Sequence, residues 1–284
     1  MGTREQDDIR QAVRDNYGRI ATAGAAESGP VQTASCCGPA EAKSAEGASS
    51  SCCGSSPELD PQGISTMLGY SEEEMAGVPE GANLGLGCGN PLALASLSPG
   101  ETVVDLGSGG GFDCFLAAKE VGREGRVIGV DMTPDMVSLA RRNAEKVEAA
   151  NVEFRLGEIE HLPLADGSAD LIMSNCVINL SPDKQRVYDE AFRVLKPGGR
   201  LSISDVLATA SLPLEARQDL ALISACVGGA ETIDETEKIL ERAGFERIRI
   251  TTKENSKEII QEWAPGREVM DYIVSANIEA VKPA

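Results

Sequence analysis

Apolar positions along the 284 residues keep two periods, one helical and one extended, broken by a stretch with neither. At residues 8–20, Ile9, Val13, Tyr17 and Ile20 recur at the spacing of one helical face, which predicts a short amphipathic helix packed on the main body. Residues 21–57 hold Ala, Gly, Ser and Glu with almost no large apolar side chains; such a stretch cannot bury enough to order itself, so a flexible segment is expected. Ser71 and Glu74 stand at capping-box spacing before a short helix, and residues 78–91 turn repeatedly on Gly and Pro. From there strands (103–106, 126–130, 152–156, 169–174, 200–204) alternate with helices (from Phe112, then 134–147 and 182–194), the pattern of parallel βαβ units in a doubly wound α/β sheet. Residues 212–224 and 235–243 read as helices, and 245–251 and 273–281 as strands forming an antiparallel C-terminal edge. The expected organisation is an N-terminal helix (1–20), a flexible Cys-containing segment (21–57), a nucleotide-binding domain (58–206) and a small C-terminal part (207–284) that contributes Cys226 to substrate binding.

Residues 103–111, VVDLGSGGG, mark where the first strand meets a helix through a glycine turn. Glycine lets a ligand approach the backbone and the helix N-terminus offers free amides, so the turn suits a nucleotide, although many such turns only change direction. Asp105 ends the first strand and Asp131 the second, 24 residues after Gly107, as expected of an acid placed on ribose hydroxyls. The turn lacks the G-x-G-x-x-G of most dehydrogenases, and Asp105 beside it would repel a pyrophosphate but suits the ammonium group of S-adenosylmethionine. DLGSGGG resembles the first motif of the class I S-adenosylmethionine methyltransferases. That resemblance implies a Rossmann-like methyltransferase fold with Gly107, Ser108 and Gly109 at the cofactor, Asp131 and Met132 flanking ribose and adenine, and Glu158 and Ile159 at the adenine edge. A purely structural role is the alternative for both aspartates.

Charge and cysteine content narrow the acceptor. Lys and Arg total 26 against 45 Asp and Glu, a net charge of -19, which would repel a phosphate backbone and offers no patch for anionic lipid. After the fourth strand, residues 174–179 read SNCVIN where base-amino methyltransferases carry Asn-Pro-Pro-aromatic, so nucleic acid is doubly disfavoured. The first ten residues are too charged for a secretory signal and no apolar run is long enough to span a bilayer, so a cytoplasmic protein is expected. In a reducing cytosol the eight cysteines do not form a disulfide framework. Topology sends Cys176 to the carboxyl end of the sheet, while Cys88 and Cys226 lie in glycine-built loops. Three thiols around a methyl donor suggest a soft, thiophilic acceptor. Zinc at the two SCCG pairs (Cys36 with Cys37, Cys52 with Cys53) competes poorly, because adjacent cysteines do not match tetrahedral ligand spacing. No metal site is expected, and the single His161 reads as a loop residue.

Four stretches carry a closer resemblance: residues 85–114, 157–184 (with NCVINLSPDK), 194–206 (VLKPGGRLSISDV) and 226–230 (CVGGA) are similar to the arsenite S-adenosylmethionine methyltransferases. The resemblance implies that Cys88, Cys176 and Cys226 bind trivalent arsenic, presented as arsenite or its thiol conjugates. It implies too that one SCCG cysteine (Cys36, Cys37, Cys52 or Cys53) exchanges disulfides with Cys88, with thioredoxin or glutathione as reductant. Tyr17 of DNYG and Asn175 would join the cofactor site; for Tyr17 a core role on its helix is equally open. Cys114 reads as packing. Competing readings are a carbon methyltransferase of the quinone or sterol type, and a non-catalytic thiol-based metalloid binder.

Overall fold

A computed structural model describes residues 3–25, 61–253, 256 and 268–284. The SCCG pairs, most of the expected flexible segment and Trp263 lie outside the described residues. Helix α1 (Thr3–Ala25) is followed by the short helices α2 (Pro61–Met67), α3 (Glu72–Ala76) and α4 (Leu92–Ala95). The alternating body then runs β1 (Thr102–Leu106), α5 (Phe112–Val121), β2 (Arg126–Asp131), α6 (Pro134–Lys146), β3 (Val152–Leu156), β4 (Ala169–Asn175), α7 (Lys184–Val194) and β5 (Leu195–Ala208). Helices α8 (Leu214–Gln218), α9 (Leu220–Ser224) and α10 (Ile233–Ala243) precede β6 (Glu246–Thr252) and β7 (Ile273–Val281).

The seven strands of the described residues form one sheet in the order β3-β2-β1-β4-β5-β7-β6. Strands β1 to β5 pair in parallel, and β7 runs antiparallel to both β5 and β6, as the alternating pattern predicts. The C-terminal part is therefore joined to the same sheet through the nine-residue pairing of β7 with β5. One core packs α7 and α10 on the sheet through Val187, Tyr188, Ile239 and Leu240; another packs α5 and α6 through Phe115, Val121 and Val137. Strand order reverses direction of winding between β1 and β4, and the crevice outside their carboxyl ends is where ligands bind in open α/β sheets.

Three elements differ from the periodicity. Strand β5 runs past the expected 200–204 at both ends, to Ala208 on the far side because β7 pairs with it from Arg200 through Ala208. Helix α1 extends beyond residues 8–20 at both ends, burying Ile9, Val13 and Ala21. Residues 212–224 make two five-residue helices, not one, because Asp219 takes an extended backbone and its side chain accepts the amides of Ala221 and Leu222, which starts a new helix. The capping box of Ser71 and Glu74 forms as its spacing predicts. Among the described residues no helix is long and apolar enough to cross a membrane.

Candidate active site

A cavity of about 340 Å³ opens at the switch point. The glycine turn walls one side, Cys176 and Cys226 the other, and Val13 and Tyr17 reach over it from α1. The turn is held down by the amides of Gly107 and Ser108, which donate to Val130 O at 2.7 and 3.1 Å. Gly107 has φ +72°, and a Cβ there would lie 2.4 Å from Val177, so only glycine lets the turn pass under the loop that carries Cys176.

Acidic groups line the glycine-turn end. Asp131 Oδ2 accepts the Gly109 amide at 3.0 Å and Oδ1 the Thr133 amide at 2.8 Å, which locks the turn to the end of β2. Asp105 accepts the Cys114 thiol at 3.2 Å, so that buried cysteine is a partner of the acid as well as a packing group. Asp113 accepts the Tyr70 hydroxyl at 2.6 Å and the Asn175 amide at 3.2 Å. Burial pushes Asp105 well above the usual carboxylate range, with Asp113 adding repulsion, and pushes Asp113 up to about 6. None of the three acids has an ion-pair partner among the described residues, and Ser108, whose buried Oγ has no hydrogen bond, lines the same wall. A ligand that brings a cation and polar hydroxyls fits such a wall; a pyrophosphate does not.

Met132, Ile159 and Asn175 also line the cavity. Glu158 stands apart from the lining, in ion pairs with Arg10 and Arg14 of α1, and the neighbouring Glu160 faces the cavity instead. Tyr17 spans the two ends: its hydroxyl is 3.4 Å from Ser224 O, and burial foremost, then the Cys226 and Cys176 thiols, raises its pKa far above the ordinary phenol value.

At the other end the three expected thiols come together. Cys88, Cys176 and Cys226 share one buried cluster, with Cys176 close enough to both of the others for their thiols to influence its ionisation. The Cys226 thiol also reaches Cys176 O at 2.9 Å. Sγ of Cys88, Sγ of Cys176 and a carboxylate oxygen of Asp205 lie within 4.8 Å of one another. Cys176 and Cys226 line the cavity, whereas Cys88 is fully buried beside Cys176 and does not line it. Burial raises the Cys88 and Cys176 thiols above the ordinary value, in Cys176 with the neighbouring thiols adding to it, so both are held protonated at neutral pH. The loops are pinned from beneath: Asp205 accepts the amide of Ile178 (2.9 Å) and Nδ2 of Asn179 (3.0 Å), and Asn179 Nδ2 also reaches Cys226 O at 3.3 Å.

Comparison with known proteins identifies the family. Residues 97–244 match the family model described as a methyltransferase domain. The arsenite methyltransferase of Halobacterium salinarum is 51% identical over 284 residues, which are 100% of this chain and 69% of the relative. The chain belongs to the arsenite methyltransferase family. The human member is 42% identical over 175 residues, 58% of this chain and 46% of its own length. CrArsM, an arsenic (III) S-adenosylmethionine methyltransferase from Chlamydomonas reinhardtii, superposes with a TM-score of 0.58 at 32% identity, covering 78% of this chain and 73% of that one. The chain thus spans about half the length of the human relative and a larger share of the other two.

Several residues of this family member's site escape periodicity and motif reading. Asp205 carries a signal in hindsight, being an acid inside the strand LSISDV, and Asp113 sits in the first turn after the glycines. Tyr70 and Lys253, whose Nζ is 3.2 Å from Cys88 O, had none: each is brought in by a distant segment.

Proposed function

We propose that this chain methylates trivalent arsenic held by Cys88, Cys176 and Cys226, converting arsenite to methylated arsenicals as a metalloid detoxification step. The observation that carries the reading is one cavity with a cation-seeking acid wall at one end and a three-thiol cluster at the other. Arsenite is the neutral triol of arsenic. Three thiols displace its three hydroxyls, forming three As–S bonds and releasing three waters, so the exchange buries no net charge, in keeping with the burial that holds Cys88 and Cys176 protonated. Arsenic keeps its lone pair and carries no proton, so no general base is required; among the described residues none of the serines lies in a Ser-His-Asp arrangement that would suggest one.

S-adenosylmethionine supplies an electrophilic methyl on a sulfonium. Asp105, Asp113 and Asp131 would hold its cationic and hydroxyl groups, with Gly107, Ser108, Gly109, Met132 and Ile159 as the walls around it. The work of this chain's own residues is positional: Asp205 and Asn179 fix the thiol loops relative to each other, and Tyr17 spans from thiols to acids, an arrangement that would hold a thiol-bound acceptor and a methyl donor at fixed relative positions. Methylation raises arsenic to the pentavalent state, and return to the trivalent state takes two electrons. A cysteine pair ending as a disulfide supplies them; we assign this role to Cys88 with a cysteine of an SCCG pair, and thioredoxin or glutathione to resetting the disulfide in a reducing cytoplasm.

The test is incubation of purified protein with arsenite, S-adenosylmethionine and thiol, followed by mass spectrometry. Methylarsenicals are expected. Their absence from protein that demonstrably binds S-adenosylhomocysteine would overturn the reading.

A further inference from the structure

Asn175 connects the two ends of the cavity by a hydrogen-bond network with more acceptors than donors. Its Oδ1 accepts the Cys88 amide at 3.0 Å, so the side chain grips the backbone of the one thiol that does not line the cavity. Its Nδ2 faces three acceptors: Gly89 O at 2.8 Å, Tyr70 Oη at 3.1 Å and Asp113 Oδ2 at 3.2 Å. The Tyr70 hydroxyl has the same divided choice, with Asp113 Oδ1 at 2.6 Å and Gly89 O at 3.2 Å. An amide has two N–H groups and a phenol one O–H, so the three hydrogens cannot saturate every acceptor offered. Asp113, which faces the cavity, and Gly89 O, which follows Cys88, therefore compete for the same donors. Close packing makes the competition tight: a Cβ on Gly87 would meet Asn175 at 3.0 Å.

A ligand whose ammonium group engages Asp113 changes the outcome of that competition. Asp113 then accepts from the ligand, and the donors of Asn175 and Tyr70 are released toward Gly89 O. Both hydrogen-bonding ends of Asn175, which already reach the Cys88 amide and Gly89 O, then hold that dipeptide without Asp113 drawing on the same donors. We propose that Asn175, with Tyr70 and Asp113, is a positioning device through which occupancy of the methyl-donor end fixes the Cys88 backbone and tightens metalloid binding by the thiols. The metalloid half rests on the arsenic reading above; the clamping of Cys88 does not. The coupling is reciprocal, so arsenite tightens cofactor-end binding by the same factor.

Two measurements test the device. In the wild-type chain without arsenic, S-adenosylhomocysteine at saturation is expected to slow amide hydrogen exchange of a peptide spanning residues 85–90 by about tenfold, the size of an ordinary coupling. Unchanged exchange there, in protein whose binding of S-adenosylhomocysteine is verified, overturns the proposal without touching the arsenic reading. In the second, arsenite affinity is measured by equilibrium dialysis with and without S-adenosylhomocysteine in wild type, Tyr70→Phe and Asp113→Asn. The wild-type ratio is expected near tenfold and both variants below about threefold. A wild-type ratio near one, or variants that keep the wild-type ratio, overturns the device. Wild-type protein that binds no arsenite at all refutes the arsenic reading and its metalloid half, and leaves the exchange result to decide the clamp.

Discussion

Cys176 and Cys226 both adopt left-handed backbone, φ +59° and +60°, a conformation that costs a non-glycine residue about 1 kcal/mol or more. Each is held there by its amide: Cys176 N donates to Ser204 O at 2.8 Å and Cys226 N to Ile223 O at 2.9 Å. The strain turns two loops so that their sulfurs meet, which a regular strand-to-helix turn would not do. Cys176→Ser and Cys226→Ser are therefore expected to lower arsenite methylation at least ~100-fold, as loss of a required ligand does, with S-adenosylhomocysteine affinity within about twofold of wild type. Calorimetric titration beside the activity assay checks this; lost cofactor affinity would make the thiols structural. Gly107→Ala places a methyl against Val177 at a positive φ, so the turn must shift. S-adenosylhomocysteine binding is expected to fall by about tenfold or more, on the order of 1.4 kcal/mol, again read by titration.

Helix α1 is held to the body by charge as well as by its apolar face. Arg10 pairs with Glu158 and Glu160, and Arg14 with Glu158; Glu160 is buried, and its other partner is the Ser181 hydroxyl at 2.7 Å. Removing the cation would leave Glu160 buried with one hydroxyl. Arg10→Ala is expected to cost roughly 3 kcal/mol and to raise amide exchange along α1, measured by denaturant unfolding and hydrogen exchange. Unchanged exchange in α1 would show that its apolar face alone holds it. At this scale the pattern of apolar residues was a good guide to existence and a poorer one to extent. The helical face of α1 and the strands β1 to β7 were legible because period and turn residues are local. The break at Asp219 was not, since a side chain capping its own neighbours looks in the sequence like one more polar position on a helix.

In the whole molecule, buried acids without cation partners make stability depend on pH in an unusual direction. Asp113 titrates at about 6, above the ordinary carboxylate value, because burial favours the protonated form. Its favourable contribution is fully present below the ordinary value near 4 and is lost as pH rises through about 6. Without cofactor the chain is expected to melt at higher temperature at pH 5 than at pH 7.5, with stability greater by about 1.4 kcal/mol at the lower pH. Asp113→Asn should flatten the difference. Thermal unfolding across that range checks the sign, and a melting temperature that falls on acidification to pH 5 would refute it.

The alternation of strands and helices, the glycine turn, Asp105 and Asp131 at strand ends and the CVGGA and NCVINLSPDK stretches are all local in the chain, and from them the doubly wound sheet, the methyl donor and the three thiols could be named. Local patterns could not say which distant groups meet. The sheet order sets β4 between β1 and β5, and only that places Asn175 within reach of Cys88, Tyr70 and Asp113, separated from it by 87, 105 and 62 residues. Nor could they say that Glu158 turns to the arginines of α1 while Glu160 faces the cavity, or that Cys88 lies behind Cys176. Such choices are made by packing and by competition for hydrogen-bond donors, which have no period along a sequence and arise only where the folded chain brings the competitors together.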